Sequence, residues 1–344
     1  MSIRFPAEWE SQSGVLLTWP HRHSDWQPLL DAVEPVYVEM VTQITRFEPV
    51  VILCWDQEHR WHIQSLVSNS TAATDKIIYR EVPTNDTWIR DYGPITVMKD
   101  GAPLLLDFIF NSWGNKYAWD KDNLAGSRLR ESGLFGDIPM ESVDLVLEGG
   151  SIETDGRGTL LTTSQCLLSE KRNPRLDRDG ITRRLSGLLG VEHILWLDSG
   201  RMAGDDTDSH IDILARFCSP ETIVYTHCDD PGDAHFADLN RMQDELRSLR
   251  TADHNYYHLV PLPWPRAKFD AAGKRLAATY ANFLIINEAV LVPVYRDPAD
   301  ERALRTIEAC FPGRTIIPID SAPLIHQGGS LHCATMQLPA NVLK

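Results

Sequence analysis

Asp206-Thr207-Asp208-Ser209-His210-Ile211-Asp212 is a polar loop that runs into two short apolar stretches, 214–217 and 222–225, joined at Ser219-Pro220-Glu221. Apolar runs of this length, bounded by turn residues, read as the two strands of a hairpin. A helical pattern over 234–249 follows. The unit is therefore a loop, a hairpin, a helix and a further strand.

Outward from this stretch the same order recurs. Asn85-Asp86-Thr87-Trp88-Ile89-Arg90-Asp91-Tyr92-Gly93-Pro94 leads into a hairpin of 95–97 and 104–106, turned at Lys99-Asp100-Gly101. Leu145-Val146-Leu147-Glu148-Gly149-Gly150-Ser151-Ile152 leads through Asp155-Gly156-Arg157-Gly158 to 159–162, and a fourth hairpin joins 282–286 to 290–293. Helices are predicted over 181–189 and 297–310. The spacing of the units, roughly 60 to 75 residues, is that of a repeat architecture or somewhat above it. Near the N-terminus the pattern predicts a strand over 13–19, helices over 31–46 and 57–69, and strands over 49–54 and 77–79. The last segment, 330–338, has only one strand, which is expected to pair with 15–19 and close a ring of units.

Composition narrows the class. The chain has 344 residues with no evident linker, and a single domain over 1–344 is expected. A formal charge of -15 argues against nucleic acid, which needs clustered cations, and mildly favours a cationic ligand. No apolar run approaches the roughly 18 residues of a membrane span, and the N-terminal segment lacks an apolar secretion signal, so no membrane association and a cytoplasmic location are expected. The six cysteines, at 54, 166, 218, 228, 310 and 333, show neither a Cys-x-x-Cys pair nor a zinc-site spacing, so reduced thiols are expected.

The polar clusters stand at the loop-to-strand entry of successive units, where a ring would gather them at one centre. Gln327-Gly328-Gly329-Ser330-Leu331-His332-Cys333 places two glycines ahead of a cysteine, allowing close backbone approach to a ligand. Cys333 is read as a nucleophile, against the alternative of a buried structural thiol. His210 and Asp212, two apart, would face one side of an extended segment. Glu148 ends an apolar run, where a carboxylate needs a partner. Trp88 offers a face to a cation, Asp91 a carboxylate to a guanidinium, and Arg90 an ion-pair partner for Asp91 or another neighbour.

These residues, together with Phe5-Pro6-Ala7-Glu8-Trp9, Leu17-Thr18-Trp19-Pro20-His21 and Leu160-Leu161-Thr162-Thr163-Ser164-Gln165-Cys166-Leu167-Leu168, resemble the guanidine-modifying deiminases, most closely the agmatine deiminase and bacterial peptidylarginine-deiminase-like family. The resemblance spans nearly the whole chain. It implies an α/β fold, a five-bladed propeller of ββαβ units (the pentein fold), and a site with neither metal nor cofactor. This sequence departs from the family where Gln327 replaces a glycine, Ser209 a glycine, and Ile213 an Asn or Asp.

By the same resemblance, Cys333 attacks the guanidinium carbon, His210 protonates the departing ammonia and then activates water, and Glu148 holds a guanidinium nitrogen and orients His210. Asp91 and Asp212 clamp the guanidinium from two sides. A small cationic guanidine is the expected substrate. The acidic run containing Asp206 and Asp208, with Asp25 and Trp19 as further candidates, suits the distal ammonium of agmatine better than the carboxylate of arginine. Turn capping by these aspartates stays open as the plainer reading. Free or peptidyl arginine, and amidino transfer to an amine, are the competing activities. Oligomeric state is not read from the sequence, and a homodimer is left open.

Overall fold

The computed structural model describes residues 2–343. Among them the strands form six sheets, five of which share one pairing pattern: an antiparallel pair followed by a parallel third strand. In order these are Ile95–Lys99 with Ala102–Ile109 and Met140–Val146, Ile152–Thr154 with Thr159–Thr163 and His193–Leu197, Ala215–Ser219 with Thr222–Thr226 and His258–Leu262, and Leu284–Ile286 with Ala289–Val294 and Thr315–Asp320. The fifth is composite. Thr335–Pro339 runs antiparallel to Gln12–Thr18, which then pairs in parallel with Val50–Cys54.

Parallel neighbours cannot be joined by a tight turn, so each second strand reaches its third through a helical crossover. The crossovers include Leu30–Ile44, Ala125–Glu131, Arg178–Leu189, Phe236–Ser248 and Asp300–Cys310. The expected pairing of the chain ends is observed, with Thr335 opposite Leu17 and Gln337 opposite Val15. Two sheets carry an added edge strand, Ile77–Glu81 and Ile3–Arg4. The sixth sheet is a two-stranded ribbon, Lys268–Phe269 with Arg275–Leu276, that sequence reading did not anticipate.

The central strands Gln12–Thr18, Val50–Cys54 and Thr159–Thr163 are buried nearly throughout, as strands covered on both faces must be. The larger apolar core draws on residues from Val15 to Val342, so both ends of the chain build one interior.

One local expectation is corrected. Ile211–Ile213 form a single 3-10 turn, with Leu214 N–H donating to the Ile211 carbonyl, and the strand begins only at Ala215. His210 and Asp212 therefore owe their orientation to a turn and not to strand alternation. Its approach is tight, since Asp208 and Ser209 both have φ of 67°. At Ser209 a glycine would adopt that conformation without a Cβ penalty.

Candidate active site

Each of the five sheets delivers polar residues immediately before its first strand. Asp91 lies on the turn Ile89–Tyr92 before Ile95, Glu148 precedes Ile152, His210 and Asp212 precede Ala215, Asn282 precedes Leu284, and Cys333 precedes Thr335. Their side chains meet. Cys333 Sγ receives the Asn282 Nδ2–H at 3.1 Å and lies 3.4 Å from Asp212 Oδ2. His210 Nδ1 is 3.6 Å from Asp91 Oδ1, and its Nε2 is 4.0 Å from Glu148 Oε2. Asp91 is fixed by the Trp113 Nε1–H and the Gly150 N–H, both at 3.0 Å. A Cβ on Gly150 would stand 2.6 Å from His210 Nδ1 and 2.8 Å from Asp91 Oδ1, so this glycine is what lets the two groups converge.

Burial sets the proton positions. Burial pushes the Cys333 thiol well above its ordinary range, and the charges of Asp212 and Asp91 push it further. Burial also drives His210 down to about 3, leaving a neutral imidazole. Asp91 is held well above the usual carboxylate range by burial and by the Asp212 and Glu148 carboxylates. Glu148 is raised by burial, although Arg172 Nε donates to both its oxygens, at 2.8 and 2.9 Å. Both ring nitrogens of His210 and Oδ1 of Asp212 are buried without a hydrogen-bond partner. Orphaned buried polar atoms cost roughly 1–3 kcal/mol each, so their gathering beside one thiol marks the seat of a polar ligand.

A cavity of about 180 Å³ leads to Cys333 and is lined by Trp88, Asp91, Asp25, Asp86 and Asp206, with Lys274 and Ile213 also in its wall. Carboxylates outnumber cations there, as a cationic ligand requires. Gly329 is obligatory for a different reason from the one expected: its absent Cβ is replaced by Trp88, which would lie 2.4 Å from it. The close approach is to an aromatic ring of the cavity wall.

The acidic run divides. Asp206 lines the cavity and accepts from the Tyr117 hydroxyl at 2.6 Å. Asp208 does not line it, because Lys116 and Arg172 take its two oxygens at 2.8 and 2.7 Å. Asp205 caps the turn through Thr207 and Ser209. Trp19 is fully buried and donates to Glu34, away from the cavity. Arg90 pairs with Glu8 at 3.1 Å and not with Asp91.

Sequence reading missed Asn282, Arg172, Glu8 and His332. Asn282 was the legible one, since it begins the fourth hairpin where the other units carry Asp91, Glu148 and Asp212. Among the described residues, Glu148, Cys166 and His210 bring potential metal-ligand atoms within 4.8 Å of one another. The Arg172 guanidinium already occupies both Glu148 oxygens, and its positive charge opposes a metal ion there.

The thiol's environment predicts a coupled titration. A bound guanidinium offsets the carboxylates around Cys333, so the thiol pKa is expected to fall when a guanidine ligand binds. Ultraviolet titration of thiolate, with Cys333→Ala as the blank, checks this; equal midpoints with and without ligand refute it.

Comparison with known proteins gives a consistent picture. Residues 4–339 match the family model for Porphyromonas-type peptidyl-arginine deiminase. An agmatine deiminase of Stutzerimonas stutzeri strain A1501 is 33% identical, the alignment covering 97% of this chain and 95% of that protein. Among solved structures, a Porphyromonas gingivalis protein described provisionally as an arginine deiminase superposes with a TM-score of 0.94 at 46% identity, covering 99% of this chain and all of that one. An agmatine deiminase of C. jejuni with substrate bound superposes with a TM-score of 0.90 at 36% identity, covering 98% and 96%.

Proposed function

Because the chain belongs to the Porphyromonas-type peptidyl-arginine deiminase family, we propose that it hydrolyses agmatine to N-carbamoylputrescine and ammonia. The observation that carries this reading is the acidic cavity ending at a buried cysteine, with unpartnered polar atoms of His210 and Asp212 beside it. A planar cation with several N–H donors satisfies carboxylates in that arrangement, and a guanidinium is such a cation.

The chemistry runs as follows. The guanidinium enters between Asp91 and Asp212, and its charge favours loss of the Cys333 proton. Neutral His210 takes that proton and becomes imidazolium. The thiolate attacks the guanidinium carbon, forming a C–S bond, and His210 returns the proton to the nitrogen that leaves as ammonia. Water then adds to the resulting thiouronium; His210 accepts one of its protons and delivers it to sulfur as the C–S bond breaks, and the other proton leaves the new carbonyl oxygen for the released ammonia or solvent as the neutral ureide departs. Glu148 orients His210 and holds a guanidinium nitrogen. Asp25, Asp86 and Asp206, with the face of Trp88, form the acidic and aromatic wall for the distal ammonium.

The same proposal arranges the five repeated sheets as blades of a propeller around the site, in a single catalytic domain over 1–344 working in the cytoplasm. No described helix is long and apolar enough to cross a membrane. The test is direct. Purified protein incubated with agmatine, and separately with arginine, is followed by mass spectrometry and ammonia release. A gain of about one mass unit, NH replaced by O, is expected for agmatine. Conversion of arginine alone would overturn the substrate assignment.

A further inference from the structure

His332, next to the nucleophile, is fully buried between two carboxylates: its Nδ1 is 2.8 Å from Asp212 Oδ2 and its Nε2 is 2.8 Å from Glu8 Oε1. A neutral imidazole has one donor and one acceptor nitrogen, so two such contacts to ionised acids would set one pair of lone pairs against each other. An imidazolium donates to both. Glu8 is in turn held by Arg90 at 3.1 Å, Arg216 at 2.5 Å and the Gln337 amide at 2.9 Å. Charge thus alternates along one line, from Arg90 and Arg216 through Glu8 and His332 to Asp212. Oδ1 of Asp212 is buried without a hydrogen-bond partner, and its Oδ2 lies 3.4 Å from Cys333 Sγ.

We propose that Glu8 and His332 are positioning residues that hold Asp212 as a carboxylate, so that the N-terminal segment sets how acidic the medium can become before a guanidinium is no longer gripped. This rests on the deiminase reading of the site. The groups facing Asp212 are His332, His210, Cys333, Asp91 and, at longer range, Arg216 and Arg90. Those facing His332 are Asp212, Glu8, Arg90 and Arg216. Glu153 faces Glu8 across Arg216. The direction for Asp212 agrees with the geometry, whereas burial opposes the His332 imidazolium that its two carboxylate contacts call for. Burial pushes Asp212 up, yet the hydrogen bond and charge of His332 bring it below the ordinary carboxylate range. Burial pulls His332 down, helped by Arg216 and Arg90, and Glu8 opposes that pull.

The sign follows. Asp212 grips a guanidinium only when ionised; Asp91, held well above the usual carboxylate range, is protonated first as pH falls, and Asp212 contributes a second, lower acid step. Removing the Glu8 charge lets His332 lose its proton more readily, which raises the Asp212 pKa. Glu8→Gln is therefore expected to move the lower acid step of kcat/KM for agmatine upward by about one pH unit, roughly a fivefold loss at the old midpoint. Glu153→Gln removes a carboxylate from the same Arg216 without touching His332, and its acid limb is expected to stay in place. A second readout needs no turnover. The carboxyl 13C chemical shift of Asp212, assigned with Asp212→Asn, should titrate about one pH unit higher in Glu8→Gln and at the wild-type position in Glu153→Gln. An acid limb in Glu8→Gln that coincides with wild type, or one that Glu153→Gln moves equally, overturns the proposal. If the wild-type protein leaves agmatine untouched, the deiminase reading falls, and the Asp212 carboxyl midpoints alone decide: a shift confined to Glu8→Gln sustains the linkage, equal midpoints refute it.

Discussion

Cys333→Ala is expected to lower kcat for agmatine by at least about 10⁴-fold while leaving the protein folded and able to bind the substrate. The carbon of a guanidinium is a poor electrophile, and the carboxylates that grip it cannot replace the nucleophile. Nor can the neighbouring thiol. Cys166 is fully buried, 3.9 Å from Glu148 Oε2, and burial holds it well above the ordinary thiol range. The alanine variant keeps Asp91, Asp212 and the cavity wall, so agmatine should still raise its thermal midpoint. A variant that retains a tenth of wild-type turnover would remove Cys333 from the nucleophile's role. A variant that is inactive and also fails to bind would leave the chemistry in place and show that the thiol contributes to the grip.

The fold was legible where its signals are local. A hairpin is announced by a turn of Asp, Gly or Pro between two apolar runs, and this order repeats along the chain, so four hairpins and the helices after the last three were read near their observed positions, whereas the short helix Ala125–Glu131 after the first was not. Pairing of the chain ends followed from the last unit, which had only one strand and needed a partner from elsewhere in the chain. Asp91, Glu148, Asp212 and Cys333, which the fold brings together, were singled out because a polar residue before an apolar strand stands out. Their partners were not found, because hydrogen bonding across the site ignores chain distance: Arg90 meets Glu8, and Cys333 meets Asn282. Periodicity also failed locally. His210 and Asp212 were placed by alternation along a strand, whereas a 3-10 turn orients them. Composition could not separate Asp206, which faces the cavity, from Asp208, which faces two cations two residues later.

Arg172→Ala is expected to cost roughly 3–5 kcal/mol of stability, the loss typical when one partner of a buried ion pair is removed. Its side chain and that of Glu148 are both fully buried, and its other nitrogens reach Asp208 Oδ2 at 2.7 Å and the Thr207 carbonyl at 2.8 Å. One guanidinium thus joins the loop ahead of the third hairpin to the acid of the second. Without it Glu148 is left in a dry interior with no cation, and it relieves the cost by binding a proton. A protonated Glu148 orients His210 poorly, so activity should fall together with stability. Urea unfolding separates this from a general packing defect through a double-mutant cycle. Glu148→Gln removes the charge that needs Arg172, so adding Arg172→Ala to it should cost less than in the wild-type background, by more than about 1 kcal/mol. Strictly additive losses would mean that Arg172 stabilises the fold through Asp208 and Thr207 alone, and that the charge of Glu148 is carried by something other than this pair.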